Sequence, residues 1–171
     1  MCEIRLARAE DIDAIIKIGR STFAKAYGDI VRPVDMAGYL DRMFEPSLLA
    51  SEIADETTIY LVAENGRGLL GYAKLAKTSR PEQLPEAKVL ELVRLYVAEG
   101  EYGKGIGSDL LAAARSKAMA SGCSGWWLRV WQKNESAIRL YERVGFISMG
   151  VEPYLIGETA NPVVLMYETL R

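Results

Sequence analysis

Glu101-Tyr102-Gly103-Lys104-Gly105-Ile106-Gly107-Ser108 lies between a predicted strand, 88–98, and a predicted helix, 106–121. Its three glycines within five positions allow backbone N–H groups to point inward without clashes from Cβ atoms. The start of the helix adds unpaired N–H groups and about half a positive charge, and Lys104 adds a full charge. The segment therefore predicts a binding site for a phosphate or a pyrophosphate.

Two other kinds of phosphate loop are excluded by spacing. A P-loop, G-x-x-x-x-G-K-[ST], would need glycine at position 98 and serine or threonine at 105, where Ala98 and Gly105 stand. A dinucleotide loop, G-x-G-x-x-G, would need glycine at 108 or 110, where Ser108 and Leu110 stand. A glycine-rich turn that binds nothing is the remaining alternative from the loop alone.

Composition narrows the class of protein. The chain has 171 residues, which predicts a single domain over 1–171. Its formal charge is −2, from 21 basic and 23 acidic residues, so the chain lacks the excess of basic residues that is typical of nucleic-acid-binding domains. No apolar run approaches the ~18 residues that a membrane span needs, so no membrane partner is expected. The two cysteines, Cys2 and Cys123, show no metal-type spacing, and a cytoplasmic protein is expected.

The chain contains no histidine, which excludes Ser-His-Asp and Cys-His catalysis in their usual forms. It also removes the commonest transition-metal ligand, so we predict no metal. Any general base must be a carboxylate, a tyrosine, a lysine or a relayed water.

The order of predicted elements indicates an α/β protein of mixed α+β character, with one central sheet and helices on both faces. Strands are predicted over 3–8, 58–64, 69–77, 88–98, 124–131, 146–150 and 163–169. Trp126, Trp127 and Trp131 cluster in one of these strands. Core packing or a subunit interface suits them better than a substrate cage, and a homodimer is compatible with the sequence.

Two motifs give the chain a family resemblance. Residues 102–107 have the spacing of motif A of the GNAT acetyltransferases, [Q/R]-x-x-G-x-[G/A], and residues 131–134 and 137–146 resemble motif B. The order of elements is similar over nearly the whole chain. The resemblance implies the GNAT fold, a mostly antiparallel mixed sheet of about seven strands, and acetyl-CoA as co-substrate. One position departs from the motif, because Tyr102 stands where the family usually has Gln or Arg.

The resemblance also implies residue roles. Cofactor-binding positions are Leu95, Tyr96, Val97, Tyr102, Gly103, Lys104, Gly105, Ile106, Gly107, Ser108, Asn134 and Ala137. Glu91 matches the catalytic glutamate of histone-type GNAT enzymes, and it lies in an apolar strand where burial disfavours the charged carboxylate. Tyr141 matches the position of the general acid for the departing thiolate. The alternatives are that Glu91 only pairs with Arg94 or Lys88, and that Tyr141 is a core aromatic of its helix.

Within the family the chain looks most like the bacterial spermidine/spermine N-acetyltransferases, which makes a polyamine the expected acceptor. The resemblance places Phe23, Tyr27, Tyr39 and Tyr154 as walls for this small-molecule amine, and Asp35 or Asp41 as cation-binding residues. Other acceptors remain open: a peptide N-terminus, an amino acid or an aminoglycoside. A different class of function is also open, that of a non-catalytic acyl-CoA-binding sensor.

Overall fold

A computed structural model describes all residues, 1–171, and forms one seven-stranded sheet of order β1-β2-β3-β4-β5-β7-β6. The strands are β1 (Glu3–Leu6), β2 (Ile59–Asn65), β3 (Gly68–Ala76), β4 (Val89–Val97), β5 (Gly125–Trp131), β6 (Ile147–Ile156) and β7 (Thr159–Thr169). The helices are α1 (Ile12–Tyr27), α2 (Pro33–Met43), α3 (Pro46–Ala54), α4 (Ile106–Ala120) and α5 (Glu135–Val144), with a 3-10 turn at Ala9–Asp11. Only β4 and β5 are parallel neighbours. This architecture confirms the predicted fold class.

The helices cover both faces of the sheet. On one face α4 inserts Leu110, Leu111 and Ala114, all fully buried, into the largest apolar cluster. On the other face α1 buries Ile15 against β2 and β3, and its Phe23 joins a second group formed with α2. Burying large apolar side chains on both faces gives the sheet its stability, at roughly 1.5–3 kcal/mol per side chain. None of the helices combines the length and the apolarity that crossing a membrane would require.

The last two strands are much longer than the predicted 146–150 and 163–169. They form one hairpin, β6–β7, in which Pro153 lies opposite Pro162 in register. Residues 151–162, which include both prolines, were not predicted to be strand, and proline cannot donate to a strand ladder. The two prolines face each other, and β6 is an edge strand with a neighbour on one side only. Pro162 of β7 lies just outside the pairing with β5, whose last pair is Trp131 with Val163, so neither proline removes an N–H that a neighbouring strand needs.

The sheet opens between β4 and β5. Their paired positions run from Val89 with Gly125 to Glu91 with Trp127, and stop there. Further along β4, a register shift against β3 leaves Val93 as an extra residue, which is a β-bulge. The second half of β4 therefore has a hydrogen-bonded neighbour in β3 and none on the β5 side. Its unpaired backbone groups need partners other than the sheet.

Candidate active site

A cavity of about 880 Å³ occupies the opening between β4 and β5. Its volume lies within the ~300–1,000 Å³ typical of ligand sites. Of the site residues predicted from the sequence, all line it except Lys104 and the two aspartates, Asp35 and Asp41. The residues brought together are Phe23, Tyr27, Tyr39, Glu91, Leu95, Tyr96, Val97, Tyr102, Gly103, Gly105, Ile106, Gly107, Ser108, Asn134, Ala137, Tyr141 and Tyr154.

The glycine loop forms one end of the cavity. Gly103 and Gly105 have φ values of 77° and 86°, a region that favours glycine, and a Cβ on either would meet nothing within 4 Å. The backbone N–H of Asp109 donates to the carbonyl of Gly105, at 3.0 Å. The three preceding amides, at 106–108, have no acceptor within the helix. The loop thus combines free N–H groups, a helix N-terminus and open space, which is the arrangement that binds a phosphate.

The charges near the loop differ from those predicted. Lys104 bonds Glu101, with Nζ 3.0 Å from Oε2, and does not line the cavity. Lys25 of α1 does line it, and its Nζ lies 5.9 Å from the centroid of the Tyr102 ring. Arg143 of α5 lines it as well. Sequence reasoning missed both cations, because neither lies near the loop in the chain.

Asn134 connects the cavity to the start of α5. Its Oδ1 accepts a hydrogen bond from the backbone N–H of Ala137 at 3.3 Å, so the side chain caps the helix. Both residues line the cavity. Since an amide side chain has two N–H donors besides its oxygen, the cap leaves donors for a ligand. The capping and binding roles predicted for Asn134 are therefore compatible.

Tyr141 lies on the α5 wall of the cavity, with its ring edge-on to Phe146 at a centroid distance of 5.8 Å. The side chain is 8% exposed, and burial raises the pKa of its hydroxyl well above the usual value. The phenol therefore stays protonated and can donate a hydrogen bond. It contacts the apolar core and the cavity at once, so its position is compatible with either interpretation of this residue.

Glu91 stands on β4 at the last position paired with β5, where the cavity begins. Its Oε2 accepts a hydrogen bond from Thr78 Oγ1 at 2.7 Å, and its Oε1 lies 3.1 Å from Arg129 Nη1. The predicted cation partners were Arg94 and Lys88. The partner is Arg129 because the parallel pairing of Glu91 with Trp127 brings the residue two positions further along β5 to the same face. The sequence signal that could have indicated this ion pair is the single arginine within the otherwise apolar strand 124–131.

Arg129 has a second carboxylate partner in Glu152 of β6, whose Oε1 lies 2.6 Å from Nε. Its guanidinium also stacks 4.7 Å from the centroid of the Trp127 ring. These contacts hold the guanidinium in place beside Glu91.

Aromatic side chains from α1, α2 and β5 line a second part of the cavity, its aromatic end. Phe23 stacks on Tyr39 at 4.3 Å and packs against Tyr27 at 4.6 Å, and Tyr27 packs against Trp131 at 5.9 Å, as centroid distances. Burial raises the pKa of Tyr27 to about 12 and also raises that of Tyr154. Trp131 thus lines the cavity, whereas the other two tryptophans are buried in the core.

The two aspartates predicted to bind a cation lie outside the cavity lining. Asp35 Oδ2 is 2.7 Å from Arg32 Nε, and Asp41 Oδ1 is 3.1 Å from Arg20 Nη2. Both carboxylates therefore already have a cation. The charged residues that do line the cavity are four cations, Lys25, Arg94, Arg129 and Arg143, and two carboxylates, Glu91 and Glu101. This excess of positive charge suits anionic ligands.

A family model described as the acetyltransferase (GNAT) family matches residues 24–146, which include most of the residues that line the cavity. The chain belongs to the GNAT family. The GNAT resemblance predicted from the loop and from motif B is thereby confirmed.

Relatives and solved structures agree with this membership. An uncharacterized N-acetyltransferase in the pepI 3′ region of Lactobacillus delbrueckii subsp. lactis is 27% identical over 161 residues, 94% of this chain and 93% of the relative. The PaiA N-acetyltransferase from Thermoplasma acidophilum, solved with coenzyme A, has a TM-score of 0.79 at 22% identity over 99% of both chains. The spermidine/spermine N-acetyltransferase SpeG from Vibrio cholerae has a TM-score of 0.69 at 19% identity, covering 99% of this chain and 95% of SpeG.

Membership makes the chain a GNAT-type N-acetyltransferase with acetyl-CoA as co-substrate, as predicted. The cavity fits this co-substrate, because its loop end offers free N–H groups and cations for phosphates and its β4 wall offers unpaired backbone groups. No group of histidine, cysteine, aspartate and glutamate side chains in the structure is arranged to hold a metal ion.

Proposed function

We propose that this GNAT enzyme transfers the acetyl group of acetyl-CoA to a primary amine by direct attack. Glu91 accepts the proton of the amine, through a water where the distance requires one, and Tyr141 donates to the departing thiolate. The observation that carries the proposal is the single cavity that joins the glycine loop, Glu91 and Tyr141 to an aromatic end. The loop end suits the pyrophosphate, and the aromatic end suits the amine.

The need for a base follows from the chemistry of amines. An amine with a lysine-like pKa of ~10.4 is neutral in about one molecule in 2,500 at pH 7, so forming the neutral nucleophile costs roughly 4–5 kcal/mol. Glu91 is the carboxylate at the point where β4 and β5 separate. Its two oxygens already accept from Thr78 and Arg129, but a carboxylate has about four lone-pair sites. A water molecule can therefore bond to Glu91 without displacing either partner.

We expect free thiol to be released from acetyl-CoA when a suitable amine is added. The panel should contain spermidine, an aminoglycoside, a short peptide and single amino acids, with released thiol as the readout. A non-catalytic sensor would instead be stabilised against heating by CoA, by about 2.7 kcal/mol at 100 times its Kd, with no thiol release on any amine. That outcome would contradict the proposed transfer while leaving cofactor binding intact.

Replacing Tyr141 with phenylalanine is expected to lower kcat about tenfold, with the KM for acetyl-CoA changed less than about threefold. The raised pKa of this phenol makes full proton transfer to a thiolate of pKa ~8.5 uphill. Its contribution is therefore a hydrogen bond to the developing charge, which is worth roughly 1.5–3 kcal/mol. Steady-state kinetics with acetyl-CoA varied from below its KM to saturation would measure both parameters.

Tyr167→Phe is the matched control for Tyr141→Phe. Tyr167 is also buried, but it belongs to a separate apolar cluster with Leu84 and Leu165 and does not line the cavity. Equal kcat values for the two variants would mean that Tyr141 is only a core aromatic.

The charges of the cavity bear on the choice of acceptor. A polyamine, which the sequence resemblance implies, needs carboxylates around its second cationic nitrogen. The aromatic end offers Glu91, already bonded to Arg129, while Asp35 and Asp41 are paired outside the lining. Since SpeG is 19% identical, its similarity shows the fold and not the acceptor. The charges of the cavity thus favour the amino acid alternative over the polyamine.

A further inference from the structure

Arg94 differs from every other buried charged residue of the chain in having no counter-ion. The others each form an ion pair: Asp11 with Arg5, Lys74 with Glu52, Glu91 with Arg129, and Glu168 with Arg115. Arg94 is 6% exposed and lies over the Phe44 ring, with its guanidinium carbon 4.7 Å from the centroid. Taking an arginine out of water without a partner costs several kcal/mol, and arginine cannot lose its proton to avoid that cost.

The neighbours of Arg94 do not supply the missing charge. The phenols around it belong to Tyr39, Tyr60, Tyr72 and Tyr96. Burial raises the pKa of Tyr60, Tyr72 and Tyr96, so these groups are neutral. The hydroxyl of Tyr72 is itself buried with no hydrogen-bond partner. This part of the protein therefore holds a fixed positive charge among neutral phenols.

The facing position on β3 adds no negative charge either. Lys74 is paired with Arg94 in register, and its own charge is balanced by Glu52, with Nζ 2.7 Å from Oε1. Glu52 also accepts a hydrogen bond from the Tyr60 hydroxyl. Because Glu52 already serves two partners, Arg94 is left with the cavity that it lines.

Arg94 lies toward the aromatic end of this cavity. Its guanidinium contacts Phe44, which belongs to the same apolar cluster as Phe23 and Tyr39. The phosphates of acetyl-CoA are expected at the glycine loop, so they are not its counter-ion. The other ligand of the reaction is the acceptor, which leaves the acceptor as the source of a counter-ion for Arg94.

We propose that Arg94 binds a carboxylate of the acceptor, so that the substrate is a small amine that also carries a carboxylate, such as an amino acid, and not a polyamine. This inference rests on the proposed acetyl transfer. The planar guanidinium can donate two parallel N–H bonds to a carboxylate, which fixes the orientation of the substrate as well as adding energy. The aromatic walls then face the remainder of the acceptor, and Glu91 faces its amine.

The test compares each standard L-amino acid with its own carboxamide, using thiol release to measure kcat/KM. We expect the wild-type enzyme to prefer at least one amino acid over its amide by about 10- to 100-fold, which is the range for a hydrogen-bonded charge. The ammonium group of the amide has a lower pKa than that of the amino acid, so a larger fraction of the amide is the neutral nucleophile at a given pH. This difference favours the amide, and a preference for the acid would therefore not be caused by the reactivity of the amine. Spermidine serves as the polyamine comparison.

Two variants test whether Arg94 causes the preference for the amino acid over its amide. Arg94→Met should lower kcat/KM for the preferred amino acid by about 10- to 100-fold and leave that for its amide within about threefold. Arg143→Met removes the other cavity cation that has no ion pair, and should leave the ratio of acid to amide unchanged. If Arg94 instead stabilised the oxyanion of the reaction, Arg94→Met would lower kcat for the acid and the amide equally, and the inference would be wrong.

The remaining outcomes separate this inference from the proposed function. Turnover of amides or of spermidine without preference for any acid would overturn the carboxylate site and leave acetyl transfer standing. If no amine releases thiol, the proposed acetyl transfer is wrong. The carboxylate site is then tested by the binding of amino acids to the CoA-saturated protein. Thermal stabilisation of the CoA-saturated protein by an amino acid, lost in Arg94→Met, would support it, and no stabilisation by any amino acid would overturn it.

Discussion

Replacing Glu91 with glutamine is expected to lower kcat at pH 7 by about 100-fold, because a positioned general base typically contributes ~10²–10⁴. Glutamine has the same shape, keeps an oxygen that can accept from Arg129, and has an NH2 group that can donate to the Thr78 hydroxyl oxygen, but it cannot take up a proton. The substitution therefore removes the chemistry of the carboxylate and preserves most of its contacts. Single-turnover measurement of acetyl transfer would report the chemical step directly.

The deficit of the Glu91→Gln variant should shrink as the pH rises. The variant depends on amine that is already neutral in solution, and that fraction grows tenfold per pH unit below the amine pKa. We therefore expect the deficit to fall below about tenfold near pH 10 for an amine of pKa ~10.4. Profiles of kcat/KM against pH for the two enzymes would show the curves converging at high pH. A constant ratio at every pH would contradict a role in proton removal.

Glu152→Gln is a close control for the same experiment. Glu152 binds the same guanidinium as Glu91, with its Oε1 2.6 Å from Arg129 Nε, but it does not line the acetyl-CoA cavity. If Glu91 served only to neutralise Arg129, the two substitutions would have similar effects on kcat. We expect Glu152→Gln to lower kcat less than about fivefold, and a loss equal to that of Glu91→Gln would assign Glu91 to structure.

The sequence predicted the features that depend on local chemistry. Closely spaced glycines followed by a helix predict a phosphate site at Gly103 and Gly105 without any knowledge of the sheet. The cap at Asn134 is local in the same sense, since it bonds a residue three positions away. Such features can be read from neighbours in the chain, and the structure places them at the cavity.

The features that were missed depend on contacts between distant segments. The partner of Glu91 lies 38 residues away and follows from the parallel register of β4 and β5. The isolation of Arg94 depends on Glu52 already being taken up by Lys74 and Tyr60. No periodicity or motif reports which of several carboxylates a buried arginine reaches, so these ion pairs could not be predicted from the sequence.

Replacing Gly105 with alanine is expected to raise the Kd for CoA about 30-fold. Gly105 precedes α4 with φ of 86°, and a Cβ added there would meet no protein atom within 4 Å. The space beside it is cavity, where the pyrophosphate is expected to approach the amides of 106–108. A methyl group in that space would weaken one or two charge-assisted hydrogen bonds, each worth roughly 1.5–3 kcal/mol. Isothermal titration with CoA would measure the change.

Gly100→Ala separates this effect from backbone strain. Gly100 has a similar φ of 83°, and a Cβ there would also meet nothing within 4 Å, but the residue does not line the cavity. Both alanines should therefore lower the free energy of unfolding by a similar amount, about 1–2 kcal/mol, since L-residues are disfavoured in this region. Only Gly105→Ala should also weaken CoA binding, with Gly100→Ala changing the Kd less than about threefold. Equal changes in Kd would mean that the glycines serve the turn alone, and the pyrophosphate site would then have to lie elsewhere in the cavity.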